Sequence, residues 1–173
     1  HLLSILMEFI LNIAKSEMGS IQLKQKDGLF ISRIHSNFPD KVRKGFRFKN
    51  KKTISEHVQT TKENCFIEKY TTNKNISPNP KILIDSYLCI PILVQNELIG
   101  IVNIARKSEN KNPKISKEDV KTLTMITNLS GTAIQNALLY KQVIFKEKLD
   151  QELKVANQIQ KRLLPETTPK LDV

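Results

Sequence analysis

The stretch from Tyr87 to Ala105 constrains the fold most. Tyr87-Leu-Cys-Ile-Pro-Ile-Leu-Val94 and Leu98-Ile-Gly-Ile-Val-Asn-Ile-Ala105 are two β-rich apolar runs joined by the polar turn Gln95-Asn96-Glu97. Runs this apolar on both pleats cannot face water on either side, so they read as a hairpin at the centre of a covered sheet. Proline removes a ladder donor, so Pro91 marks a sheet edge or a bulge. The rest of the chain must supply the remaining strands and the cover.

It does so in a mixed order. Leu2 to Lys15 carries apolar residues at 2, 3, 6, 9, 10, 13 and 14, a helical stripe. Ile21 to Gln25 alternates like a strand, Lys26-Asp27-Gly28 is a hairpin turn, and Leu29 to Ile34 returns. Phe46-Arg-Phe48 is a further short candidate strand. Thr53 and Glu56 have capping-box spacing ahead of a helix over about 54–61. Cys65-Phe-Ile67 is a short apolar strand. The polar run Tyr70 to Pro80 reads as a loop, and Lys81 to Asp85 as a short helix or turn.

Ser116 is an N-cap followed by acids, and it opens a long helix with apolar positions 120, 123, 126, 129, 133, 134, 137 and 138. Beyond Leu138 the stripe narrows. Leu138, Phe145 and Ile159 share one seven-residue series, and Leu149, Ala156 and Leu163 share the other, with Gln142 and Glu152 interrupting. That is a coiled-coil seam and implies a partner helix, most simply a homodimer. Pro165 stops the helix and Pro169 keeps the following chain extended. The chain starts at His1 and a new segment begins after Pro165, so it reads as an internal piece of a larger protein.

Composition excludes several classes. No apolar run is long enough for a membrane span, and the first residues lack a basic lead and a cleavage site, so neither a membrane span nor a signal peptide is expected. Cys65 and Cys89 form no disulfide framework and no zinc spacing, which makes a reducing, cytoplasmic setting the default and buried free thiols the favoured reading. The formal net charge is +11, much of it in 41–52, which holds seven cations and no acid. Such a patch suits nucleic acid or an anionic surface. No recognition module accompanies it, so a solvated, Lys-rich loop is favoured and no nucleic-acid partner is expected. No Gly-rich phosphate loop, nucleophile elbow or carboxylate pair is present, and no catalytic or metal-ligating residue is assigned.

The element order, with Ser86-Tyr-Leu-Cys-Ile-Pro-Ile-Leu-Val-Gln-Asn-Glu-Leu-Ile-Gly-Ile-Val-Asn-Ile104, Ile115-Ser-Lys-Glu-Asp-Val-Lys-Thr-Leu123 and Ala133-Ile-Gln-Asn-Ala-Leu-Leu-Tyr140, resembles the GAF domain over roughly 2–142. The resemblance implies an α/β (α+β), PAS-like antiparallel sheet flanked by helices, with a long C-terminal signalling helix. It also implies a small-molecule pocket between the sheet and its covering helices and loops. By segment order that pocket is expected at Phe46, Phe48, His57, Cys65, Phe66, Ser86 and Asn103. The cyclic-nucleotide signature of some members is incomplete, with Ile115 at its Phe position, and neither cysteine lies in a bilin-attachment motif.

Ala156-Asn-Gln-Ile-Gln-Lys-Arg-Leu-Leu-Pro165 is similar to the helix leading into PPM-type, SpoIIE-like serine/threonine phosphatases. This implies a sensor over 1–142, a linker helix over 143–164 and the start of a phosphatase over 165–173. The phosphatase's metal-binding aspartates, its Mg or Mn and its phosphoprotein substrate would belong beyond Val173, so this chain is expected to catalyse nothing itself. Two alternatives keep other readings open: a ligand-free dimerisation scaffold of the same fold, and a nucleic-acid-binding module using 41–52.

Overall fold

The computed structural model describes residues 1–37, 54–68, 84–107 and 114–163, with Arg162 and Leu163 described in backbone only. The elements are α1 (Leu2–Ala14), β1 (Met18–Lys24), β2 (Phe30–Ser36), α2 (Ile54–Thr61), β3 (Cys65–Ile67), β4 (Ile84–Val94), β5 (Glu97–Lys107) and α3 (Lys117–Leu163). The five strands form one antiparallel sheet in the order β2-β1-β5-β4-β3. The expected strand at Phe46–Phe48, the cap at Thr53 and the loop 70–80 lie outside the described residues.

Local chemistry sets the turns. Gln95 and Asn96 both take left-handed backbone, with φ 48° and 65°, the pattern of a two-residue type I′ hairpin turn. At the β1–β2 turn Gly28 sits at φ 79°, and the Leu29 amide donates to Asp27 Oδ1 at 3.1 Å. Pro91 lies where β4 runs past the end of β3, one residue before a register shift at Ile92/Leu93. Both sequence expectations for it, edge and bulge, therefore apply. Ser116 caps α3: its Oγ accepts from the Asp119 amide at 3.0 Å, while its amide and hydroxyl both donate to Asp119 Oδ2 at 2.8 Å. Those bonds favour the charged carboxylate and hold Asp119 below its ordinary pKa.

The two faces of the sheet differ in chemistry. Cross-strand register places Gly19, Ile104 and Leu88 in one row, Ile21, Val102 and Ile90 in the next, and Leu23, Gly100 and Ile92 in a third. Gly19 looks onto Met7 and Leu11 of α1, and Gly131 of α3 lies against Ile92, Val94 and the Leu93 carbonyl. This face is thus covered by α1 and the first part of α3, and its three central rows are wholly apolar. Gly100 is required there by close approach. A Cβ at that position would stand 2.7 Å from the Gln22 carbonyl oxygen and 2.8 Å and 2.9 Å from side-chain carbons of Leu23 and Ile92. Gly100→Ala is therefore expected to destabilise the domain by about 1–3 kcal/mol, because a strand carbonyl cannot move aside cheaply. Urea unfolding checks this through a lowered midpoint at constant slope.

Several expected details are corrected. β1 begins at Met18 rather than Ile21, and Ile84 and Asp85 belong to strand β4 rather than to a helix or turn. In α1 the buried column is Leu6, Met7, Ile10 and Ala14, while Leu2 and Phe9 are 42% and 53% exposed. In α3 the buried positions are Leu123, Thr127, Gly131 and Ile134, whereas Leu129 is 76% exposed and Ala133 and Ala137 face solvent. Gly131 stands in the contact column where a Cβ would come within 3.0 Å of the Leu93 carbonyl oxygen. The chain divides into two compact units, 1–135 and 136–173. The described part of the second unit is helical throughout.

Candidate functional site

The opposite face of the sheet carries α2. Its rows read Met18, Ala105, Tyr87 and Ile67; then Ser20, Asn103, Cys89 and Cys65; then Gln22, Ile101 and Pro91, with Ser32 beside Gln22 on β2. Polar side chains reach the central rows here, and they are buried: Ser20, Gln22, Ser32, Ser55 and Asn103 are each at most 5% exposed. Burying such groups is costly unless they are hydrogen-bonded.

Asn103 is the hub. Its Oδ1 accepts from Tyr87 OH at 2.8 Å and from Ser55 Oγ at 3.3 Å, and its Nδ2 donates to Ser20 Oγ at 3.2 Å. Ser55 lies in the first turn of α2, so this bond ties the helix to the sheet. Ser55 also hydrogen-bonds Cys89, whose thiol is pushed far above its ordinary range by burial and by the neighbouring Cys65. Burial likewise raises Cys65. Around the hub, Ile54, Val58, Ile101, Met18 and Ala105 form an apolar cluster.

Two atoms on this face are left over. Gln22 Oε1 and Ser32 Oγ are buried and have no hydrogen-bond partner among the described residues. The two residues are direct cross-strand partners, so their side chains stand side by side on the α2 face. An unmade bond at a buried polar atom costs about 1–3 kcal/mol. Unpartnered buried hydroxyls also occur away from this face, at Ser86 Oγ and Thr127 Oγ1, but among the described residues only Gln22 and Ser32 are paired side by side across a ladder.

The seven residues expected to line a pocket do not all converge. Cys65 and Asn103 share one sheet row on the α2 face, with Cys89 between them. Phe66 pairs with Leu88 and Ser86 with Arg106, which places both on the α1/α3 face; Ser86 is buried there. His57 is on α2 but exposed. Phe46 and Phe48 lie outside the described residues. The expectation did not include Ser20, Gln22, Ser32, Ser55, Tyr87 or Cys89. The alternation Ser20, Ile21, Gln22, Leu23 was the available signal, but a polar alternate position is normally read as facing water, and here both Ser20 and Gln22 are buried.

Among the described residues no group of three or more His, Cys, Asp or Glu side chains is placed to hold a metal, and no helix is long and apolar enough to cross a membrane. Of the seam positions, Leu138 is half-buried, Ala156 is exposed, and Phe145, Leu149 and Ile159 are 63%, 44% and 53% exposed. The Leu163 side chain lies outside the description.

The fold has many solved counterparts. The GAF domain/HD domain protein from Geobacter sulfurreducens matches with a TM-score of 0.67 at 13% identity, over 80% of this chain and 92% of that one. The GAF domain of a phosphoenolpyruvate-protein phosphotransferase from Coxiella burnetii matches with a TM-score of 0.67 at 16% identity, over 82% and 87%. The GAF domain of a two-component sensor histidine kinase from Bacillus halodurans matches with a TM-score of 0.63 at 18% identity, over 80% and 97%. No match was found among curated protein sequences. The family profile for the GAF domain matches residues 1–135. With the sheet order, the helix on each face and that profile in agreement, this chain belongs to the GAF domain family.

Proposed function

We propose that the GAF domain is a sensor that binds a small molecule on the α2 face of its sheet, and that α3 passes the bound state to an effector domain beyond Val173. The observation that carries this reading is the pair of buried, unpartnered atoms Gln22 Oε1 and Ser32 Oγ on the face that also holds the Asn103 hub. The polar groups contributed there by the described sheet and α2 residues are hydroxyls and amides, which suits a ligand that presents hydrogen-bonding groups. A ligand that bonds the face and touches α2 would favour one packing of α2 on the sheet. Only such differential contact can shift a conformational equilibrium.

The effector is proposed to be a PPM-type serine/threonine phosphatase, on the resemblance of Ala156 to Pro165 to the helix that leads into such enzymes. The linker is proposed to work as a dimer through the seam at Leu138, Phe145, Leu149, Ala156, Ile159 and Leu163. The ligand-free scaffold is the competing reading, and it requires the α2 face to be completed by the protein's own groups.

The pair Gln22→Leu and Ser32→Ala separates the two. Native mass spectrometry of the chain as purified from cells is expected to show a non-covalent adduct that denaturation releases and that the double variant lacks. Removing two unsatisfied atoms should also raise the stability of the ligand-free variant by about 1 kcal/mol or more. A bare wild-type mass would favour the scaffold.

A further inference from the structure

Cys65 and Cys89 are direct partners across the β3–β4 ladder, with side chains on the same face. Directly opposed residues of antiparallel strands have Cα atoms about 4.5–5.5 Å apart, inside the range of about 4.4–6.8 Å that disulfides span. β3 is three residues long, lies at the edge of the sheet and is half-buried throughout, so it is the strand best able to make the small adjustment a disulfide needs. Cys89 is fully buried and Cys65 is half-buried. One thiol is therefore open to a reagent, and the other is reached only through it.

We propose that Cys65 and Cys89 are a reversible dithiol–disulfide pair, closed by exchange with a low-molecular-weight disulfide. The Cys65 thiolate attacks one sulfur of the reagent, breaks its S–S bond and expels the first small thiolate, which takes up a proton. Cys89 then loses its proton to solvent, and its sulfur attacks Cys65 Sγ. The Cys65–Cys89 bond forms as the mixed disulfide breaks, and the second small thiol departs. Two protein thiols are oxidised by two electrons, and one small disulfide is reduced to two thiols. The raised thiol pKa values keep the thiolate fraction small and make this exchange slow. The closed bond lies in the sheet row of Asn103 and Ser20, and it draws the Cys89 sulfur toward β3 and away from Ser55.

The test is incubation of the folded chain with oxidised glutathione, followed by alkylation and intact-mass and peptide analysis. Wild type is expected to lose both alkylatable thiols and the mass of two hydrogens, with a Cys65–Cys89 cross-linked peptide that dithiothreitol reverses. Cys89→Ala should stop at one glutathione adduct on Cys65. Cys65→Ser should take no adduct, because the remaining thiol is enclosed. The proposal is overturned if folded wild type keeps both thiols, stops at the glutathione adduct, cross-links between chains, or closes the bond only after unfolding in urea. Cys65 is on a half-exposed edge strand, so Cys65→Ser remains informative if Cys89→Ala fails to fold.

Discussion

Asn103→Ala is expected to destabilise the domain by about 2–4 kcal/mol, more than any other single polar substitution on the α2 face. The side chain is 1% exposed and makes three bonds, two through Oδ1 and one through Nδ2. Truncation takes a partner from Ser20 and Ser55 inside the core and from Tyr87 at its margin, and each buried group so stranded costs about 1–3 kcal/mol. Hydroxyl rotation recovers part of that sum, which sets the estimate below the simple total. Ser20→Ala removes one arm and Tyr87→Phe another, and each should cost about 1 kcal/mol. Because all three bonds meet at one amide, the single-variant losses should not add: Asn103→Ala combined with Tyr87→Phe should cost little more than Asn103→Ala alone. Chemical denaturation of the four proteins checks this. Full additivity would show that Asn103 and Tyr87 are energetically independent.

How far this face was legible in the sequence depends on one strand at a time. The β4–β5 hairpin, the two turns and the cap at Ser116 were readable because each rests on local chemistry: β-branched runs, turn residues and a serine ahead of acids. The composition of the α2 face was not, for two physical reasons. First, side-chain direction in a sheet has a period of two, so one extra residue reverses everything beyond it. The register shift at Ile21/Gln22 does this at the position that decides whether Ser32 shares a face with Asn103. Second, a polar residue at an alternate position looks like a solvent-facing one until its cover is known. Gln22 alternates with Ile21 and Leu23, yet is 1% exposed. In α3 the helix itself was plain, but its contact column was hidden. Apolar periodicity gives no weight to Thr127 or Gly131, yet both are buried, and Gly131 is where the helix approaches β4.

The largest effect is expected at the other end of the chain, where Leu149→Glu with Ile159→Glu should convert the proposed dimer to a monomer. Helix α3 is 47 residues long, and from Leu139 to Lys161 every described side chain is exposed. An isolated helix that displays this much apolar surface in water gains by pairing. Leu138, Phe145, Glu152 and Ile159 alternate with Gln142, Leu149, Ala156 and Leu163 at spacings of four and three, the repeat of a two-helix seam. Leu139 and Leu153 flank that line and widen it. In a symmetric pair the two substitutions remove four buried side chains and place four carboxylates near the axis. At about 1.5 kcal/mol each, the lost burial alone is worth about 6 kcal/mol, roughly four decades in dissociation constant. In the proposed seam Gln142 and Glu152 are already unfavourable, which leaves little reserve against two more charges. Residues 1–135 form their own compact unit, so the thermal unfolding of the sheet domain should be unchanged while sedimentation equilibrium reports half the mass. A variant that still sediments as a dimer at low micromolar concentration would exclude the seam. The association would then be assigned to the exposed apolar residues Leu2, Ile5 and Phe9 of α1 and Met125 and Leu129 of α3.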